Sequence, residues 1–197
     1  MTTIAVIPAR GGSKRIPRKN IRPFLSVIGL PIIVYSIHAA KQTALFDRIL
    51  VSTEDEGIAN VAIEYGAEVI HRPADLADDL TGTQEVMKHA VSIVHDIKLA
   101  CCIYASCPLM SAEDIYRGWN EVSFMGAKYA LSVGYPPLQD AGQFYWGTGD
   151  AFKNGEPLIG CKTAMVLVDP RRVCDINTEE DWRRAEKMYR QLYGARA

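Results

Sequence analysis

Between Arg10 and Asn20 the chain reads R-G-G-S-K-R-I-P-R-K-N: two glycines, then Lys14, Arg15, Arg18 and Lys19, with no acid among them. This run follows directly on the apolar residues Ile4-Ala5-Val6-Ile7. Glycines let a backbone approach an anion closely and turn its N–H groups inward, while the basic side chains neutralise charge. At the carboxyl end of a strand in an α/β protein, the combination suits a polyphosphate. A solvated loop or a nucleic-acid contact is the plainer alternative. The net charge of −1 makes the positive charge local, which speaks against a general nucleic-acid binder. Neither G-x-x-x-x-G-K-[ST] nor G-x-G-x-x-G occurs, so the loop is not a P-loop or a dinucleotide fingerprint.

Three further groups could carry chemistry. Arg72-Pro73-Ala74-Asp75-Leu76-Ala77-Asp78-Asp79-Leu80-Thr81-Gly82-Thr83 is a polar loop that reads, on local grounds, as the approach to a helix capped by Thr83. Asp175 and Asn177, two residues apart, point the same way in extended chain and could share one hard cation, or could simply precede the cap of the next helix. Asp140-Ala141-Gly142-Gln143-Phe144-Tyr145-Trp146-Gly147 sets aromatic rings beside an amide, which suits a sugar, although Phe144 and Trp146 would equally serve a core strand. His38, His71, His89 and His95 form no recognisable nucleophile arrangement with a Ser or Cys and read as structural or surface residues.

The order P-A-R-G-G-S-K-R-I-P-R-K-N resembles the signature of the sugar-activating cytidylyltransferases, which couple acidic sugars to CMP. The Arg15–Asn20 variant and the D-A-G-Q-F-Y-W-G string are most similar to the pseudaminic acid subgroup. Tyr104-Ala105-Ser106-Cys107-Pro108 stands where the sialic acid enzymes show Q-P-T-S-P, which argues against sialic acid. The resemblance implies a nucleotide-diphospho-sugar transferase-like α/β/α fold and a magnesium-dependent reaction of CTP with an acidic nine-carbon sugar. CMP-sialic acid or keto-deoxyoctonate synthesis, or non-catalytic nucleotide binding, are the alternatives. It implies that Arg10 and Lys19 neutralise phosphates, with Ala9, Gly11, Gly12, Ser13, Lys14 and Asn20 completing that side of the nucleotide site. Arg72, Asp79, Thr81, Gly82 and Thr83 would read the base and ribose; Tyr104, Ser106, Gln143, Phe144 and Tyr145 would face the sugar. Asp175 and Asn177 would hold Mg2+, with Asn177 standing where the relatives carry an aspartate. The relatives also carry a longer segment between Gln139 and Asp140, and a shorter turn than Leu25–Pro31, to which we assign no role.

These groups need a scaffold. With 197 residues, 48% hydrophobic and 23% charged, the chain is expected to form a single nucleotidyltransferase domain over 1–197. Strand-like segments at 3–8, 48–53, 68–71, 99–104, 129–134 and 163–168 alternate with helical ones at 31–42, 55–65, 83–97, 111–124 and 178–193. That alternation predicts a mostly parallel sheet between two helix layers. Residues 135–162, rich in Gly and Pro, read as an irregular substrate or dimerisation arm. Residues 23–40 lack Asp, Glu, Lys and Arg, but Pro23, Gly29 and Pro31 make a loop entering a buried helix the better reading than a membrane span. Five cysteines without paired C-x-x-C units, and a start without a basic, apolar leader, fit reduced thiols in a cytoplasmic protein that needs no membrane or nucleic acid. By resemblance it would be a homodimer.

Overall fold

The apolar run after Met1 becomes strand β1 (Thr2–Pro8), whose residues Ile4 to Ile7 are fully buried, as a strand covered on both faces must be. In the computed structural model, which describes residues 1–25 and 29–194, a small hairpin of β2 (Pro23–Phe24) and β3 (Leu30–Pro31) leads into α1 (Ile32–Thr43). The middle of the Leu25–Pro31 segment, Ser26 to Ile28, lies outside the described residues. Next come β4 (Arg48–Thr53), α2 (Glu56–Glu64), β5 (Glu68–His71), α3 (Thr83–Ile93) and β6 (Ile97–Ile103). The chain continues through α4 (Ala112–Ser123), β7 (Tyr129–Gly134), β8 (Gln139–Thr148), α5 (Gly149–Lys153), β9 (Thr163–Leu167) and α6 (Glu179–Tyr193).

Seven strands form one sheet in the order β5-β4-β1-β6-β8-β7-β9. All pairs are parallel except those of β8, which runs antiparallel to both β6 and β7. Alternate β1 side chains divide the core. Ala5 and Ile7 pack with Ile33, Ile37, Ile58 and Ile115 from α1, α2 and α4. Ile4 and Val6 pack with Met87, Ala90 and Phe152 from α3 and α5. This is the expected three-layer α/β/α architecture. Helix α6 closes a third cluster, setting Trp182 and Ala185 against Phe24, Ile32 and Ile176. No helix among the described residues is long and apolar enough to cross a membrane.

The strand order reverses at β1. From it the chain first builds outward to β4 and β5, then returns to place β6 on the other side. The loops leaving β1, β4 and β6 therefore diverge around one crevice, the usual ligand position in such sheets.

Two expectations change. The region 135–162 is not irregular throughout: its centre is the ten-residue strand β8, followed by α5, so only 135–138 and 154–162 remain as loop. Two of the strand's glycines, Gly142 and Gly147, have structural reasons. A Cβ on Gly147 would come within 2.6 Å of the Tyr129 ring, so glycine is what lets strand and ring close together. Gly142 has φ +60°, at a bulge where the β7–β8 register shifts between Leu131 and Val133. The buried Ser132 hydroxyl fills that bulge, donating to Phe144 O and accepting from the N–H of Gln143 and Phe144. Helix α3, expected to reach 97, stops at Ile93 with Gly82 rather than Thr83 as its N-cap; Asp96 at φ +56° turns the chain into β6. All five cysteines are free: Cys101, Cys102, Cys107 and Cys174 are buried and Cys161 is exposed.

Candidate active site

The crevice is a cleft of about 520 Å³ at the carboxyl ends of β1, β5 and β6. The glycine-rich loop forms its first wall. Ala9, buried, continues β1 by donating its N–H to Ser52 O, and Asn20 Nδ2 holds the loop at Arg10 O, 3.0 Å away. The Gly11 N–H donates to Glu54 Oε1 at 2.7 Å, and a Cβ there would collide with Asp55 at 2.5 Å. Gly12 has open space around it, so nothing in the packing demands its lack of a side chain. Arg10, Ser13, Lys14, Arg15, Lys19 and Asn20 all line the cleft.

The second wall is the loop after β5. Arg10 donates to Asp78 O at 2.8 Å and to Asp79 Oδ1 at 2.6 Å, and Lys14 reaches the other Asp79 oxygen at 2.5 Å. Hydrogen bonds from Lys14 and Arg10 hold the Asp79 carboxyl below its ordinary value. Asp78 in turn accepts from the N–H of Leu80 and Thr81 and shapes the turn. The Arg72 guanidinium is buried and bonded to Ser52 through its hydroxyl and carbonyl; burial lowers its pKa. Arg72, Asp78, Asp79, Thr81 and Thr83 face the cleft, while Gly82 does not line it.

The floor is the turn after β6, where Ala105 and Ser106 line the cleft. Tyr104 lies beneath, its hydroxyl 3.4 Å from Thr83 Oγ1 and its pKa raised by burial. The far side is the segment before α6. Lys19 Nζ donates to Ile176 O at 2.9 Å, and burial pulls its ammonium below the usual value, with Asp175 acting in the opposite sense. Arg15 donates to Asn177 Oδ1 at 2.7 Å, and the Asn177 amide N–H bonds Asp175. Asn177 lines the cleft and Asp175 is exposed beside it.

The sugar-facing expectation for Gln143, Phe144 and Tyr145 is corrected by this geometry. None of the three lines the cleft, and they are 2%, 1% and 4% exposed. Phe144 belongs to the α1/α2/α4 core and Tyr145 to the opposite one. The aromatic string is a strand covered on both faces, and such covering is what its composition also allowed. The Asn177 amide oxygen accepts from Arg15, so that bond would have to open before it could turn to a cation. Two charged cleft residues went unassigned in the sequence: Arg15, hidden within a run of like charges, and Asp78, beside a better-matched neighbour.

A family model described as "Cytidylyltransferase" matches residues 4–123, which span β1 to α4 and the two walls and floor of the cleft. The chain belongs to the cytidylyltransferase family. A pseudaminic acid cytidylyltransferase of Campylobacter jejuni subsp. jejuni serotype O:2 is 33% identical over 231 aligned positions, covering 96% of this chain and 97% of that one. That alignment is longer than the chain itself, so the relative carries residues with no counterpart here. Among solved structures, CMP:2-keto-3-deoxy-manno-octonic acid synthetase complexed with CTP has a TM-score of 0.75 at 16% identity, covering 98% of this chain and 100% of that one. A Mycobacterium tuberculosis H37Rv protein in complex with manganese gives 0.69 at 14% identity, covering 94% and 98%. These structural likenesses show a shared fold, that of the nucleotide-diphospho-sugar transferases.

Proposed function

We propose that this cytidylyltransferase couples CTP to an acidic nine-carbon sugar of the pseudaminic acid class, giving the CMP-sugar and pyrophosphate. The observation that carries the reading is one cleft in which the basic loop of Arg10 to Lys19 faces the Arg72–Thr83 loop, in a chain of this family. The similarity to a pseudaminic acid enzyme over nearly the whole of both chains supports the choice of sugar.

The sugar's anomeric oxygen attacks the α-phosphorus, the bond to the β-phosphate oxygen breaks, and pyrophosphate departs as the hydroxyl proton leaves to solvent. The protein's part is to hold the reactants in line and neutralise charge. Arg10 and Lys14 clamp the phosphates and Lys19 faces the reacting end. Thr81 and Thr83 present small polar groups to the base, and Ser106, supported from beneath by Tyr104, borders the acceptor.

Mg2+ is proposed as the ion. Among the described residues no three His, Cys, Asp or Glu side chains gather as a metal cluster, and no salt bridge occupies Asp175. A lone exposed carboxylate fits magnesium, which takes one or two carboxylates and draws its other ligands from substrate phosphates and water. Asp175 would hold it, with Asn177 joining through its amide oxygen after releasing Arg15. When bound, such an ion would supply positive charge to the reacting phosphate. Action in the cytoplasm as a homodimer belongs to the same proposal; exposed Met165 and Leu167 on edge strand β9 support an apolar partner face.

Pyrophosphate release across the four ribonucleoside triphosphates, with pseudaminic and sialic acids as acceptors, tests the reading. Release with CTP and pseudaminic acid is expected. Preference for sialic acid would move the chain to the neighbouring subgroup, and no release with any pair would leave a nucleotide-binding protein.

A further inference from the structure

A buried polar tie runs from the sheet to the segment that carries Asp175. Asp114, on the inner face of α4, is 1% exposed and carries a carboxylate that Ser111 and Arg172 both donate to at 2.7 Å. Arg117 adds a longer contact to the same carboxylate at 3.4 Å and donates to Leu167 O at 2.8 Å. From the other side, the Gln143 amide of β8 donates to the Arg172 carbonyl at 2.7 Å. Arg172 is thus held by both its side chain and its backbone, three residues before Asp175.

The same segment is pinned beyond Asp175 as well. Ile176 is 1% exposed in the α6 cluster and its carbonyl accepts from Lys19, while the Asn177 N–H donates to Asp181 at 3.1 Å. Between the anchors, Val173 packs on Gly134, where a Cβ would meet it at 3.3 Å. Asp175 is the exposed residue suspended between two fixed points. A buried charge is costly unless it is paired, so the Asp114–Arg172 pair is set only when the segment lies in this one place.

We infer that Gln143 and Asp114 are positioning residues, which act through Arg172 to place the Asp175 carboxylate for the metal–nucleotide complex. The inference rests on Asp175 being the metal ligand proposed above. It gives Gln143, buried away from the cleft, a part in the reaction without contact with sugar. Groups that orient a metal ligand from behind commonly change metal affinity by 10- to 100-fold when removed. Gln143 acts one step further back, so about a 3- to 10-fold change is expected.

The test compares Gln143→Met, which keeps length and loses the donor, with Arg172→Lys, which keeps the charge beside Asp114. Manganese binding to the protein–CTP complex is followed by water-proton relaxation, a readout that does not need turnover. Magnesium dependence, the KM for CTP at saturating magnesium, and Tm are measured alongside. Gln143→Met should raise the manganese concentration at half-saturation and the magnesium concentration at half-maximal rate together, by about 3- to 10-fold. The KM for CTP should stay within about twofold, since Gln143 does not line the cleft, and Tm should remain above the assay temperature. Arg172→Lys should shift the manganese curve in the same direction and serves alone if Gln143→Met fails to fold. Parental manganese curves in both variants, with binding lost in Asp175→Ala, overturn the positioning role while sparing the metal assignment. Parental binding in Asp175→Ala itself overturns both.

Discussion

Asp79 and Arg10, 69 residues apart in sequence, meet across the cleft as an ion pair of 2.6 Å. The other Asp79 oxygen takes Lys14, and Glu54 takes the Gly11 N–H. Donors suited to a triphosphate are therefore already engaged by carboxylates of the protein itself. These pairs hold the basic loop together, and a nucleotide bound there as proposed would exchange places with these acids.

Replacing Asp79 by Asn removes that competition while keeping a group of the same shape. CTP should then bind more tightly, by about 3- to 10-fold at low ionic strength, with the difference shrinking as salt screens the exposed charges. Calorimetric titration at two salt concentrations reads this directly. Unchanged or weaker binding would mean that Asp79 orders the loop for the nucleotide instead of competing with it.

Arg10→Ala should leave the fold intact, because its guanidinium is partly exposed and bonds only the opposing loop. Turnover should fall by about 10²–10³, the usual consequence of deleting one charged donor to a reacting centre. Pyrophosphate release with circular dichroism as the folding control checks it, and parental turnover would remove Arg10 from the reaction.

Much of this site was legible in the sequence because its signals are local. The apolar run of β1, the glycine-basic loop behind it and the Arg72–Thr83 motif are each unbroken stretches of a dozen residues or fewer and lie where such patterns belong. The strand β8 was half hidden: Gly142 and Gly147 read as loop, yet one serves a bulge and the other the approach of Tyr129. The tie between Asp114 and Arg172 had no local signal at all. Its partners stand 58 residues apart, and Asp114 beside Ser111 looks only like the start of a helix.

Helix α6 offers a stability prediction with a pH signature. Thr178 Oγ1 accepts from the Asp181 N–H, and the Asp181 carboxylate accepts from the N–H of Thr178 and Asn177 and from the Thr178 hydroxyl. These bonds hold the Asp181 carboxyl below its ordinary value. A depressed carboxyl stabilises fully above its unfolded pKa and loses that contribution as pH falls through the folded one. Thr178→Ala should cost about 0.5–2 kcal/mol at neutral pH, as loss of an N-cap commonly does. Thermal unfolding should show the gap between parent and Asp181→Asn starting to narrow below about pH 4 and closing only as pH falls past the lowered pKa of the folded carboxyl, where both side chains are neutral. A gap independent of pH would assign the cost to packing.

The Asn177 side chain bridges Arg15 and Asp175, accepting from one and donating to the other. An aspartate there can still accept from Arg15 but no longer donates to Asp175. Two carboxylates then face each other, and a hard divalent cation relieves their repulsion while gaining a charged ligand, so affinity follows the ligand charge. Asn177→Asp should lower the magnesium concentration needed for half-maximal activity by about 3- to 10-fold, taking the loss of a neighbouring metal-site group as the scale. Asp175→Ala should cripple the reaction at ordinary magnesium levels. Magnesium titrations of the two variants decide the matter together. A curve for Asn177→Asp that overlays the parent, with Asp175→Ala still active, would make this pair no more than the lead-in to the α6 cap and place the metal elsewhere in the cleft.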